Sequence, residues 1–312
     1  MGANYSEIQE LLQQKADIQA RLNLMPYDGN PEIKESNGSK YLYMRKRVAG
    51  KLTSTYVDVY SDELYQLLLR NAKERKDLNK AIRKINKDLA ALGYEDKELS
   101  ARVLQNLDFA RANLKANIYD QAVLEGVATT FPQTEDIIEN GQVHGVSATD
   151  VQKILNLKHA WEFILDRDVI QSESNYHMLC HIAKLVNEGF FYDGGHIRGI
   201  PVQIGGTSYV PPLPIETVVI ERIDEIRSQD KEPIEIAIEL CMYCMKTQVF
   251  KDGNKRASVI FANHYLIAHG MGFLVIPEKD VPEFKKLLVQ YYEGEPLEVI
   301  GAFLKERCWK NF

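Results

Sequence analysis

From residue 97 to the end of the chain, apolar residues recur at helical spacing in one segment after another, and almost nothing alternates as a strand would. The spans are about 97–127, 148–167, 175–189, 215–228, 232–248, 253–269, 280–292 and 295–308. Only 200–210, IPVQIGGTSYV, reads as β: a hairpin turning at Gly205-Gly206. Pro211-Pro212 ends it, because consecutive prolines cannot stay in a ladder. A chain patterned this way folds as a mainly α body with one projecting hairpin.

The first hundred residues read differently. Ile8, Leu11, Leu12, Ile18 and Leu22 share one helical face, and a turn-rich stretch, MPYDGNPEIKESNGSK, follows. The segment KYLYMRKRVAGKLTSTYVDVY, rich in Tyr, Val and Thr about Ala49-Gly50, predicts a small β-hairpin. Ser61 then caps a long helix in which Leu78, Ile82, Ile85, Leu89 and Leu92 alternate spacings of four and three, a narrow coiled-coil seam. The expected product is an antiparallel helical pair carrying the hairpin and closed by Gly93. This sets a first domain at 1–95 and a second at 96–312, the latter with a core at about 148–292.

Charge divides the same way. Residues 1–94 hold 16 Lys and Arg against 12 Asp and Glu, a net of +4, while the remainder holds 22 against 32, a net of −10. Two parts with different partners are implied. No apolar run reaches the roughly 20 residues that span a bilayer, and the polar start is no secretory signal. Gly2 and Ser6 fit only a loose N-acylation pattern. Four cysteines in 312 residues make no disulfide framework, so a cytoplasmic location without membrane attachment is expected.

One loop concentrates chemistry. Between two buried-helix patterns lies Gln248-Val249-Phe250-Lys251-Asp252-Gly253-Asn254-Lys255-Arg256, which opens a helix N-terminus. Unpaired N–H groups and the helix dipole make such a terminus an anion site. Gly253 permits close backbone approach, and Lys255 and Arg256 put positive charge where the dipole disfavours it, which implies a bound anion such as phosphate. Asp252 is placed to hold Mg²⁺ bridging phosphate oxygens. A capped helix with a solvated charged turn would read the same way.

QVFKDGNKR resembles the signature loop of the Fic/Doc (Fido) family, H-x-F-x-[D/E]-G-N-[G/K]-R, at every specified position but the first. GGHIRGIPVQIGGTSYVPP is similar to that family's flap region, and NLKHAWEFILD and FLVIPEKDVPEFKKLLVQYYEG are similar to its flanking helices. The resemblance covers about residues 100–310 and implies a Fic-type helical core with a β-hairpin flap. It implies that Phe250 anchors the loop and that Asp252 binds Mg²⁺. It further implies that Gly253, Asn254 and Lys255 form an anion hole for ATP or a related nucleotide, with Arg256 gripping a distal phosphate. The flap, Val202, Gln203, Ile204, Gly205, Gly206, Thr207, Ser208 and Tyr209, would pin a protein target by strand addition. The implied reaction moves AMP onto a Ser, Thr or Tyr hydroxyl; Lys255 in place of a glycine is similar to the Doc-like branch, which transfers a phosphoryl group instead.

The departure is Gln248, where the family has the histidine that accepts the hydroxyl proton. A carboxamide cannot serve as a general base near neutral pH. Two functions therefore stand side by side: a Fic-type transferase with impaired chemistry, and a pseudoenzyme that binds nucleotide as a regulatory module. The family's inhibitory helix, [S/T]-x-x-x-E-[G/N], is matched at 117–127 by Glu125-Gly126 but not by Gln121, and the arginine expected to pair with that glutamate is Val259 here. Glu125 is left either to reach Arg256 or to lie on a helix surface.

Other candidates read as packing. Cys241 and Cys244 have half-zinc-site spacing without a second pair, His177 and His181 have no carboxylate at ligand spacing, and His264 falls inside a helix. Arg45, Lys46, Arg47 and Lys51 among Tyr41, Tyr43 and Tyr56 suit either nucleic acid or a solvated hairpin face. Protein docking through the helical pair and a homodimer stay open.

Overall fold

The computed structural model describes residues 2–23, 25, 27–48, 51–94, 98–140 and 145–311. The turn at Ala49-Gly50 and the boundary at 95/96 lie outside them. The chain divides into two compact units, Met1–Asp96 and Lys97–Phe312.

In the first unit, α1 (Gly2–Asn23) and α2 (Asp62–Ala91) flank a three-stranded antiparallel sheet. Its strands are β1 (Asn30–Ser36), β2 (Ser39–Val48) and β3 (Lys51–Val59), in the order β1-β2-β3. The expected hairpin is β2–β3; β1 is an addition, formed from the stretch read as turn. It pairs along β2 from Asn30 opposite Arg45 to Ser36 opposite Ser39, turning at Asn37-Gly38, both at positive φ. Asn-Gly is a strong hairpin signal, hidden here by the polar strand in front of it.

Ser61 caps α2, accepting from the Leu64 N–H, as its sequence predicts. Leu12 packs on Ile85 and Leu89, while Arg21 bonds Glu74 and Arg75 reaches the Leu22 and Met25 carbonyls, so α1 and α2 run antiparallel. Leu42 and Met44 of β2 bury against Leu68 of α2, which fixes the inner face of the sheet.

The second unit is helical. It comprises α3 (Ala101–Ala112), α4 (Leu114–Leu124), α5 (Phe131–Asn140), α6 (Ala148–Ile164), α7 (Tyr176–Val186) and α8 (Glu216–Arg227). These are followed by α9 (Pro233–Thr247), α10 (Asn254–Ala268), α11 (Val281–Tyr292) and α12 (Leu297–Phe303). A two-residue ladder joins β4 (Phe273–Leu274) to β5 (Trp309–Lys310).

The single helix expected at 97–127 is two. Asn113 closes α3 and opens α4, and its side-chain amide donates to the Phe109 carbonyl, competing with the helical ladder. The helix α5 had no counterpart in the expectation. At the centre lies α10, buried around almost its whole circumference and packed against α9, α7, α6 and α3. A helix buried on all sides belongs in the middle of a bundle, and its polar side chains there, Asn263 and His264 among them, are hydrogen-bonded.

Candidate functional site

Two helices meet head to tail at the signature loop. The first, α9, ends where Gln248 enters the left-handed region at φ 49°, a conformation that costs a non-glycine residue on the order of 1 kcal/mol. The neighbours hold it there. Arg198, buried to 2% exposure, donates from Nε to the Gln248 carbonyl at 2.5 Å and from its own N–H to Val249 O at 2.9 Å. Its other nitrogens reach Ile200 O at 2.8 Å and Pro212 O at 2.6 Å. One guanidinium thereby ties the loop to both ends of the flap.

The rest of the loop is stitched by two asparagines. Asn254 accepts from the Phe250 N–H at 2.9 Å and donates back to the Phe250 carbonyl at 2.8 Å, closing the turn. Phe250 is buried to 1% exposure, consistent with an anchor. Asn187, at the C-terminal end of α7, donates to the Asp252 carbonyl at 3.0 Å and to Gly194 O at 3.2 Å. Gly253 sits at φ +73°, and a Cβ there would stand 2.7 Å from Asn187 Oδ1, so this position needs glycine twice over.

Beyond Gly253 no side chain caps α10, and the backbone N–H groups of Asn254, Lys255 and Arg256 find no acceptor among the described residues. An anion fits there. Arg256 is a buried hub: it donates to Val186 O at 2.8 Å, to Asp252 Oδ2 at 2.9 Å and to Asn187 Oδ1 at 3.4 Å. Its Nε lies 3.6 Å from Glu125 Oε2, and Lys255 Nζ lies 3.7 Å from Glu125 Oε1. Glu125 therefore does not lie on a free helix surface. It faces the cations at the first turn of α10 from the end of α4. Gln121 donates to the Arg256 carbonyl at 2.9 Å and accepts from Trp161 Nε1 at 2.8 Å, so the residue that departs from the helix pattern still braces it. Gly126 takes φ +76° immediately after Glu125.

Gln248 spends its amide at both ends. Nε2 donates to Met245 O at 2.6 Å, and Oε1 accepts from Asn254 Nδ2 at 3.1 Å. Burial pushes the neighbouring Tyr292 hydroxyl well above its ordinary range, with Cys241 and Glu125 adding to the rise and the Gln248 amide opposing it.

The flap runs extended from Val202 to Ile204, turns at Gly205-Gly206 with Gly206 at φ +83°, and returns through Thr207, Ser208 and Tyr209. The two arms form no strand ladder, unlike the hairpin expected. Gln203 stays exposed, and the tip is held instead by Glu293, which accepts from Thr207 Oγ1 at 2.9 Å and the Ser208 N–H at 3.1 Å. Those donors, the Ser208 N–H first, hold the Glu293 carboxyl below its ordinary range. Tyr209 stacks on Tyr292 at 6.0 Å, with Lys246 Nζ 5.5 Å above the Tyr209 ring. Asn187, Glu293, Tyr292 and Lys246 went unmarked in the sequence. Only Asn187 left a trace, as an asparagine at a helix end.

A single exposed carboxylate, Asp252, offers oxygen toward the α10 N-terminus. One carboxylate completed by phosphate oxygens and water is a common way to hold Mg²⁺, so the donor suits that ion. Among the described residues no group of three or more His, Cys, Asp or Glu gathers as an all-protein metal cage. Cys241 and Cys244 are fully buried with thiols pushed up by burial, Cys241 to about 12, as expected of packing residues. His181 stacks on Phe163 at 4.5 Å.

The candidate site is thus the uncapped, cation-bearing N-terminus of the central helix of a helical bundle. Residues 174–266 match the model of the Fic/DOC family, and the chain carries a Fic/DOC-family domain. Residues 5–66 match a domain of unknown function, DUF6788. Protein adenylyltransferase Fic of Drosophila willistoni is 26% identical over 225 residues, covering 66% of this chain and 43% of its own. Its counterpart in Drosophila grimshawi is 24% identical over 225 residues, covering 66% and 44%. The chain thus spans less than half the length of these relatives. Among solved structures, Fic-1 from C. elegans aligns with TM-score 0.53 at 19% identity, over 78% of this chain and 75% of that one. A Fic domain containing signaling protein from Bacteroides thetaiotaomicron aligns with TM-score 0.52 at 18% identity, over 67% and 85%. These two likenesses concern the fold. No helix among the described residues is long and apolar enough to cross a membrane.

Proposed function

We propose that the second unit binds ATP with Mg²⁺ at the first turn of α10 and carries the machinery for moving AMP onto a hydroxyl side chain of a protein target. The observation that carries this reading is the uncapped turn itself. Its three N–H groups, Lys255 and Arg256 stand in a loop braced by Asn254, Asn187 and Arg198. Mg²⁺, when bound, would neutralise phosphate charge; Asp252 would hold it. Gly253, Asn254 and Lys255 would cradle the phosphates, Arg256 would fix a distal one, and Phe250 would keep the loop seated. The flap would align the target segment over them. Phosphoryl transfer in place of AMP transfer uses the same parts with the nucleotide reversed.

A second reading, a nucleotide-binding pseudoenzyme, is favoured by Gln248. Its amide is committed to Met245 and Asn254 and has no protonation change to offer. Glu125 belongs to either reading as an inhibitory group, since its carboxylate occupies the cations a phosphate would use.

ATP labelled separately at the α and γ phosphates, incubated with the protein, Mg²⁺ and a lysate, decides between them. Label from the α position alone is expected for AMP transfer and from the γ position alone for phosphoryl transfer. No label, together with ATP binding that Lys255→Ala weakens, gives the pseudoenzyme. Absence of any ATP binding overturns both.

A further inference from the structure

The first unit presents a surface that the transferase reading leaves unused. Because Leu42 and Met44 of β2 point into the core, Tyr41, Tyr43, Arg45 and Arg47 stand on the opposite face of the sheet. The register brings Tyr56 of β3 opposite Tyr43, and Leu52 opposite Arg47. Three rings gather at the centre of that face: Tyr43 and Tyr56 edge to face at 5.6 Å, Tyr41 and Tyr56 at 6.3 Å. They are not core. Tyr56 is 50% exposed, and the neighbouring Leu52 and Val59 are 58% and 55% exposed.

Cations surround the rings. Lys34 Nζ sits 4.5 Å over the Tyr43 ring, and Arg45 and Arg47 continue the row along β2. Residues 30–59 hold six Lys and Arg against three Asp and Glu. Glu32 takes up part of that charge, at 3.7 Å from Arg45 and 3.8 Å from Lys34, but through exposed pairs of small energy. Arg47 makes no ion pair among the described residues.

An aromatic cluster exposed at the middle of a sheet and bordered by Arg and Lys matches one ligand chemistry: unpaired bases stacking on the rings while the phosphates between them meet the cations. Duplex DNA would use the cations and leave the rings idle, since its bases are already stacked. We infer that the outer face of the β1-β2-β3 sheet binds single-stranded nucleic acid, with Tyr41, Tyr43 and Tyr56 as the stacking platform and Lys34, Arg45 and Arg47 as the phosphate contacts. This inference is independent of nucleotide binding at α10.

The test uses the full chain and fluorescence anisotropy with labelled oligothymidylate and oligouridylate of about 15 nucleotides, and a duplex of the same length. Saturable single-strand binding is expected, stronger than to the duplex and falling as salt rises from about 50 to 200 mM. Tyr56→Ala should weaken single-strand binding about tenfold with little change in salt slope, whereas Tyr56→Phe, which keeps the π-face, should bind as the parent does. Arg47→Gln should lower the salt slope by about 0.7, the worth of one lost phosphate contact. Circular dichroism of each variant separates lost binding from lost fold. No single-strand binding at low salt overturns the inference, and so does binding that favours the duplex or is indifferent to Tyr56→Ala. An Lys255→Ala variant that loses ATP but keeps the oligonucleotide separates this face from the α10 site.

Discussion

At the scale of single residues, two side chains decide what the α10 site does. Gln248 fills the general-base position with an amide whose two ends are both bonded, so it neither takes a proton nor swings freely. Restoring the base by Gln248→His should raise transfer of α-label to protein by about 10²–10⁴-fold, the usual worth of a general base, with ATP affinity changed little. A variant as inert as the parent would locate the defect elsewhere. Glu125 is the second. Its carboxylate stands within 3.7 Å of both Lys255 and Arg256, and Oε1 is buried without a hydrogen-bond partner. Glu125→Gln removes the charge and keeps the shape, and should tighten ATP binding about fivefold, or ~1 kcal/mol, by calorimetry. Weaker binding would mean that the carboxylate organises the site rather than competing for it. The sequence made the loop and Gln248 legible because they rest on local spacing. Glu125 reaching Arg256 was one of two placements the sequence left open, and only the fold chooses between them, because the residues lie more than a hundred positions apart.

At the scale of elements, capped helices were the most readable. Ser61, the cap read from the sequence, accepts a backbone N–H at the start of its helix, and the structure adds Ser147 and Asn175 in the same role. What spacing could not show was where a continuous pattern would break, as at Asn113, or that a polar run such as Asn30–Ser36 would pair as a strand once β2 was there to receive it. The flap is the sharpest case. Its residues alternate as a hairpin's do, yet its arms are held from outside, by Arg198 at the base and Glu293 at the tip. Arg198→Met would remove the charged donor from the part-buried carbonyls of Gln248, Ile200 and Pro212, hydrogen bonds each worth about 1–3 kcal/mol. The expected result is a clear fall in thermal stability together with faster proteolytic cleavage within 200–212. Unchanged cleavage would show that the flap needs no clamp.

At the scale of the whole molecule, the charge split read from the sequence follows the two compact units, and each sign has a place: cations around the tyrosines of the first unit, carboxylates over the second, where Lys255 and Arg256 stand against the local trend. Global stability should also depend on one residue that the sequence left as core or surface. His264 is completely buried, with Nδ1 2.7 Å from Ser174 Oγ and Nε2 3.0 Å from Val169 O. A carbonyl only accepts, so Nε2 carries the proton of the neutral ring and Nδ1 accepts from the serine. Burial, the largest cause, pushes the ring down to about 4, against 6.5 in its ordinary state. The unfolded chain therefore binds a proton that the folded chain refuses. The stability held by neutral His264 is complete above pH 6.5 and is lost as pH falls toward 4, by roughly 3 kcal/mol in all. Asp120 and Glu162, both raised by burial, act in the opposite sense at the acid end and blunt the loss there. Urea melts between pH 7.5 and 4.5 should show stability falling steadily below about pH 6.5. In His264→Gln the melts should start from lower stability and follow a flatter pH profile. Parallel profiles for the two proteins would move the acid sensitivity to another group.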